Sequence, residues 1–518
     1  MTQDLKSFIR TARKAAAPIL AISTSDQPAD EGVIREVLES LKASAIIRWT
    51  CLFGFEALTD SAKDVITALA DGMDPEAATQ RFEDGFGRVI KDLQKKAKDR
   101  VVAEGTSFLA WNAHRFLDNP LVIQAIMAMR DRFKSTNQTL VLLGPSFQFP
   151  AELANDVLSY DVAYPGREQL GEIVTDLYAQ ADQAPKLTQG ALDKYVSAIQ
   201  GLPSFGAEQA TSVSISRKGL DLDALRERKR LMVAQTRGAS IWAGRDKFED
   251  VGGCGAVKSY LTDFMNGPDR PEALVFLDEI DKAMAGSAGG DTSGVSQDIL
   301  GAILSWMDGT SGKTVPGALF LGPPGAAKSA LTKSAGGEFD LPVIVGDIGA
   351  MKDSLVGESG KNVRAFLKMV DAVSNGRPLL VATCNGIETL KPELRRRFTS
   401  EWFFDLPTKK DRDQIWKIWT KKFGVKDEDR PEDEGWTGAE IRKACEMAWR
   451  LRRSLAEAGK LVVPVSVSAQ AQIEQLRASA TNRFLDASTG LPYKPLGKLA
   501  SLVVEDRGER KRQLNVND

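Results

Sequence analysis

The stretch PGALFLGPPGAAKSALTKSAG, Pro316 to Gly336, decides the fold. An apolar run, Ala318 to Leu321, enters Gly322, Pro323, Pro324, Gly325, Ala326, Ala327, Lys328 and Ser329, and a helical pattern follows. A strand that ends in a glycine turn and opens a helix is the setting in which successive backbone N–H groups wrap a phosphate. In that setting Lys328 reaches the β- and γ-oxygens and Ser329 holds Mg²⁺. Glycine usually precedes the lysine. Ala327 stands there instead, and its methyl is expected to fit only at negative φ.

Upstream lies ALVFLDEIDKA, Ala273 to Ala283, where an apolar strand ends in Asp278 and Glu279. Two acids at the carboxyl end of a buried strand are costly unless they have a role. Asp278 is expected to hold Mg²⁺ and Glu279 to polarise the attacking water. Downstream, PLLVATCNGIETLKPELRRRF brings Asn385 to a strand end and then Arg395, Arg396 and Arg397. Asn385 can position the water. One of these arginines can reach a neighbouring subunit's γ-phosphate, where a guanidinium stabilises transition-state charge; a ring-forming ATPase would use Arg397, with Arg396. Taken alone, a triple arginine reads as an exposed basic turn.

The 518 residues suggest about three domains. Lys plus Arg is 68 and Asp plus Glu is 70, a balance that does not fit a globally basic nucleic-acid coat. With 43% apolar and 27% charged residues, the composition is that of a globular protein and not of a disordered one. Four cysteines lie far apart and His114 is the single histidine, so a disulfide framework, a multi-histidine metal site and a Ser-His-Asp hydrolase do not fit. No apolar run has the length of a membrane span. The first twenty residues lack a continuous apolar core, so no secretory signal is expected and the default compartment is the cytoplasm.

Residues 1–180 read as α/β, with strands at Ile19–Ser23, Ala45–Trp49, Ser107–Ala110 and Thr139–Leu143. Helices are expected at Gly32–Lys42 and Pro120–Phe133, and no phosphate loop follows any of the strands. Residues 181–245 read as a helical linker, 246–408 as a second α/β unit, 409–482 as all-helical, and 483–518 as a tail.

Together these motifs resemble the AAA family of the AAA+ ATPases. FEDVGG (Phe248 to Gly253) is similar to that family's opening motif near the adenine. VGESGKNVRAFL (Val356 to Leu367) is similar to the segment after its pore loop, and SGVSQDILGAILSWMDG (Ser293 to Gly309) to the helix after its acid pair. GWTGAEIRKACEMA (Gly435 to Ala448) resembles its lid motif. The AKS ending of the phosphate loop is similar to that of the MoxR and MCM branches. The first 180 residues resemble the N-terminal half of an AAA family found in chloroplast genomes and bacteria. There Trp111 and Asn112 stand where acids would be, as in a degenerate ATPase-like domain.

The resemblance implies a P-loop NTPase core with a parallel sheet and a helical lid. ATP would lie against Gly253, the phosphate loop, Gly438 and Ala439, with Mg²⁺ at Ser329 and Asp278. It further implies a homo-oligomeric ring, in this family a hexamer, that remodels a protein partner docked through the N-terminal domain. A motor or loader on DNA or RNA is the alternative, and no membrane role is expected. The pore-loop position reads Ser354-Leu355-Val356-Gly357, without the aromatic that protein unfoldases of the family usually carry.

The order of the motifs is inverted. In the family the phosphate loop precedes the acid pair, whereas here Asp278 precedes Lys328. An incomplete upstream domain owning the acids would need its own phosphate loop. The candidate, GGCGAVKS (Gly252 to Ser259), follows no apolar strand. The better explanation is a circularly permuted core, which a parallel sheet tolerates if strand positions stay fixed. Lys328 and Asp278 are then expected to share one site.

Overall fold

The computed structural model describes residues 4–181, 185–284, 295–309, 314–352, 359–388 and 390–495. The chain forms two compact units. One comprises Met1–Pro165 and Pro203–Gln209, the other Gly166–Leu202 and Ala210 onward.

The first unit is built on six strands: β1 (Ile19–Ser23), β2 (Ile46–Thr50), β3 (Gly54–Ala57), β4 (Ser107–Ala110), β5 (Thr139–Gly144) and β6 (Leu158–Asp161), in the order β3-β2-β4-β5-β1-β6. Only the β2–β3 hairpin is antiparallel. Strands β1, β4 and β5 are buried along their whole length, as a parallel sheet covered on both faces requires. Two expected strands coincide with β1 and β4, the one expected at Ala45–Trp49 is shifted by one residue in β2, and β5 runs one residue further than expected. One face of the sheet carries an aromatic cluster of Trp49, Phe55, Phe82, Phe86 and Phe108, each nearly fully buried and contributing roughly 1.5–3 kcal/mol. The Trp49 indole N–H donates to the Thr79 carbonyl at 3.1 Å, so the ring is buried without an orphaned donor.

The second unit contains a short hairpin, β7 (Ile215–Ser216) and β8 (Gly219–Leu220). Its main sheet comprises β9 (Ala239–Ile241), β10 (Ala273–Leu277), β11 (Gly317–Leu321), β12 (Val343–Gly346), β13 (Pro378–Cys384), β14 (Ser400–Phe403) and β15 (Leu485–Asp486). Their order is β15-β14-β11-β13-β10-β12-β9, with β9 alone antiparallel. The chain therefore lays β10 first, skips to β11, and returns with β13 to fill the gap. Leu277 pairs with Ala382, and Leu321 with Cys384. Three strand ends thus lie side by side, followed by Asp278, Asn385 and Gly322.

The two sheets share one spatial plan. Aligning β1 with β11, each of which leads into a helix, pairs β6 with β14, β5 with β13, β4 with β10 and β2 with β12. Every pair keeps the same chain order except β10, which comes before β11 instead of after β12.

Two boundaries differ from the sequence expectation. Helices Gln189–Ile199 and Leu222–Val233, read as linker, belong to the second unit and pack on each other there. Residues 484–493, read as the start of a tail, are held on the sheet edge. Phe484 and Tyr493 are buried, and Asp405 accepts hydrogen bonds from the Tyr493 hydroxyl at 2.5 Å and from Arg477 at 2.8 Å. Isolated apolar residues in a polar segment gave no periodicity to mark this return. Within residues 409–482 lie the helices Lys409–Phe423, Gly438–Leu451 and Gln470–Ala480, and Trp416 and Trp436 are buried in the core of this region.

Candidate active site

The phosphate loop links β11 to the helix Lys328–Phe339. Its glycines are required by space. A Cβ on Gly322 would stand 2.2 Å from the Phe404 carbonyl oxygen, and Gly325 holds φ at +82° with Thr437 against it. Ala327 departs from the expectation of negative φ and sits at +69°. The loop needs a left-handed residue immediately before the helix, so the backbone accepts the strain of a Cβ there, about 1–2 kcal/mol.

Lys328 is buried and folds back over the loop. Its amine donates to the carbonyls of Gly322 at 2.6 Å and Pro323 at 2.9 Å, and to Asn385 Oδ1 at 2.8 Å. Burial pulls its pKa down to about 8, against the opposite pull of the nearby carboxylates of Asp278, Asp281 and Glu279.

The acid pair meets this loop directly. Ser329 Oγ donates to Asp278 Oδ1 at 2.9 Å, and Thr383 Oγ1 donates to the same oxygen at 2.5 Å. Thr383 also accepts the Glu279 backbone N–H at 2.9 Å, fixing the turn after β10. Glu279 is itself left-handed at φ +48°. Its carboxylate accepts from Asn385 Nδ2 at 3.0 Å and from Lys282 at 2.7 Å. Asn385 therefore bridges Lys328 and Glu279.

The opening motif and the lid meet beside the loop. Gly253, at φ +73°, donates its N–H to Gln414 Oε1 at 3.3 Å, and a Cβ on Gly252 would strike Ile415 at 2.5 Å. Ile415 lies on the helix Lys409–Phe423 and also faces Gly438, while Ala439 lies 3.1 Å from where a Gly325 Cβ would be. Gly253, Gly438 and Ala439 thus gather around Ile415 and the phosphate loop.

Arg396 and Arg397 lie elsewhere. They precede β14, whose first residue Ser400 pairs with Ala318 near the start of β11, whereas the phosphate loop follows its end. A strand of this length spans about 15 Å, so neither guanidinium serves its own chain's phosphate loop. Arg397 forms an ion pair with Asp308, and Arg395 a two-pronged pair with Glu401. Arg396 is exposed and has no ion-pair partner among the described residues.

Residues 1–162 match the family described as SpoVK-like AAA ATPase, N-terminal domain. A Guillardia theta protein, described as the uncharacterised AAA domain-containing protein ycf46, is 22% identical over 89% of this chain and 92% of its own. Its Trieres chinensis counterpart is 20% identical over 83% and 86%. Over most of its length the chain is similar to AAA domain-containing proteins. Its AAA relatives match across both units, so the likeness is not confined to the first. A solved AAA domain, the crystal structure of FIGL-1 AAA domain, aligns with 48% of this chain and 93% of its own at 16% identity, with a TM-score of 0.30. That score is too low to establish a fold.

Two residues escaped sequence reasoning. Thr383 was hidden as one more β-branched strand residue, although its place two positions before Asn385 sets it on the same strand end. Asp281 was overshadowed by the acid pair. The pore-loop position, residues 354–357, and the basic tail cluster Arg507, Arg510, Lys511 and Arg512 lie outside the described residues. Among the described residues no cluster of three metal-ligating side chains occurs and no helix is long and apolar enough to cross a membrane.

Proposed function

We propose that the second unit binds Mg-ATP against the 322–329 loop and hydrolyses it. The observation that carries this reading is the continuous set of contacts Ser329–Asp278 and Lys328–Asn385–Glu279, which ties three strand ends into one cluster. A hydroxyl and a carboxylate oxygen in contact are hard donors suited to Mg²⁺, which keeps most of its shell for water and phosphate oxygens. The glycines at 322 and 325 let Phe404 and Thr437 close on the loop and so set its turn. Bound there, Mg²⁺ supplies charge neutralisation at the β- and γ-phosphates.

Lys328 exchanges its carbonyl contacts for phosphate oxygens. Asn385 orients the attacking water, and Glu279 accepts its proton as the bond from the γ-phosphorus to the bridging oxygen breaks. Lys282 is exposed, so its hold on Glu279 is weak and yields readily to water. The core is read as circularly permuted, because moving β10 alone restores the chain order of the first unit for the five parallel strands paired above, the antiparallel edge strand β9 apart. The first unit is read as a degenerate ATPase-like domain that docks a protein partner.

Because Arg396 and Arg397 are remote from their own loop, they act on the nucleotide of an adjacent copy, in a ring of six as the family resemblance implies. Turnover therefore depends on assembly. Phosphate release from Mg-ATP, measured on ring and monomer fractions separated by size, tests this. Release confined to the assembled fraction supports the reading, and equal release by monomer contradicts the shared site.

A further inference from the structure

A third carboxylate of the cluster has no part in the scheme above. Asp281 follows the acid pair in the helix Ile280–Met284 and is only 8% exposed. Its Oδ2 accepts the backbone N–H of Asn385 at 3.2 Å, while Oδ1 is buried and has no hydrogen-bond partner among the described residues. A buried carboxylate with one empty oxygen is costly, so its place calls for a reason. The reason lies in what Asn385 does. That residue follows the last position of β13, and its side chain must reach Lys328 on one side and Glu279 on the other. On the neighbouring strand's side the peptide that follows Cys384 is held at its carbonyl, which accepts the Gly322 N–H at 3.4 Å. The Asp281 carboxylate takes the N–H of the same peptide, from the helix that also carries Lys282.

We infer that Asp281 is a positioning residue: it anchors the Asn385 backbone so that the Asn385 amide bridges the phosphate-loop lysine and the base. The inference rests on the hydrolase reading. Anchoring affects the reacting geometry and leaves the nucleotide's binding contacts in place, so its loss falls on kcat and spares KM.

The test uses the full chain and compares wild type with D281A, D281N, N385A and the double variant D281A/N385A, by steady-state Mg-ATP turnover and by ADP affinity. D281A is expected to lower kcat by about 10- to 100-fold, with KM and ADP affinity within about threefold of wild type. D281N keeps an acceptor oxygen and is expected to recover most of that loss. The double variant is expected to match N385A within about twofold, because two residues acting as a unit are not additive. Wild-type kcat in D281A, equal loss in D281N and D281A, or full additivity in the double variant would each overturn the inference. If D281A does not fold, D281S, whose hydroxyl falls short of the peptide, replaces it under the same criteria. A wild-type chain that binds ADP yet releases no phosphate refutes the hydrolase reading itself and this inference with it, and that result is seen before any variant is compared.

Discussion

Ser329 Oγ donates to Asp278 Oδ1 at 2.9 Å, across 51 positions of sequence and with the carboxylate written first. The contact exists because β13 separates β10 from β11 and aligns all three ends. The relative order of the two strands along the chain is immaterial to it. What a ligand at these strand ends would meet is the spatial order, and that order matches the one in the first unit.

Glu279→Gln removes the proton acceptor while keeping an amide of the same shape. ATP affinity is expected to stay within about threefold of wild type, and turnover to fall by about 10²–10⁴-fold. Isothermal titration and phosphate release check the two halves separately. Wild-type turnover in this variant would show that another group takes the proton.

Ala327→Gly sets two effects against each other. Relief of the left-handed strain is worth about 1–2 kcal/mol, and the added freedom of the unfolded chain costs about 0.4–1 kcal/mol. The balance favours the variant, so the melting temperature of the second unit is expected to rise by a few degrees. A lower melting temperature in differential scanning calorimetry would mean that the alanine methyl makes a contact worth more than the strain.

The buried Lys328 amine has a pKa of about 8 in the free chain, lowered by desolvation. Phosphate favours the ammonium form, so above that pH binding must take up a proton. Affinity for ATP is expected to be flat with respect to this group below pH 8, and to fall by up to about tenfold per pH unit above it. Constant affinity between pH 7 and 9.5 would contradict the assignment of Lys328 to the phosphates.

In the first unit, the position after β1 that corresponds to the phosphate loop holds an acid. Asp26 accepts the Ala29 N–H at 3.3 Å at the start of the helix Gln27–Ser40, using a donor that a phosphate would need. Gln27 and Asn112 exchange hydrogen bonds at 2.9 and 3.1 Å across the same strand ends. One nucleotide per chain is therefore expected, and K328A should abolish it without exposing a second site. Two sites per chain, or undiminished binding by K328A, would contradict the degenerate reading.

Much of the site is legible in sequence because its chemistry is local. The strand Ala318–Leu321, the glycine turn and Lys328 are contiguous, and so are the apolar run and the acids of β10. The β1 and β4 boundaries are visible because parallel strands buried on both faces read as unbroken apolar runs. What is tertiary stays hidden. Thr383 looks like any strand residue until Asp278 is set beside it. The left-handed φ of Ala327 is imposed by the loop and the helix together, and alanine shows no preference for it. Asn112 at φ +52° and Glu279 at φ +48° end equivalent strands, a likeness of backbone with no likeness of side chain.

The most direct measurement is a structure of the full chain with Mg²⁺ and a non-hydrolysable ATP analogue. Ser329 and the 278–279 turn are expected at the metal, Asp278 through water, with the Lys328 amine on the β- and γ-oxygens and Glu279 facing the γ-phosphorus. Nucleotide bound with its metal remote from Asp278 would contradict the shared site, and the hydrolase reading with it.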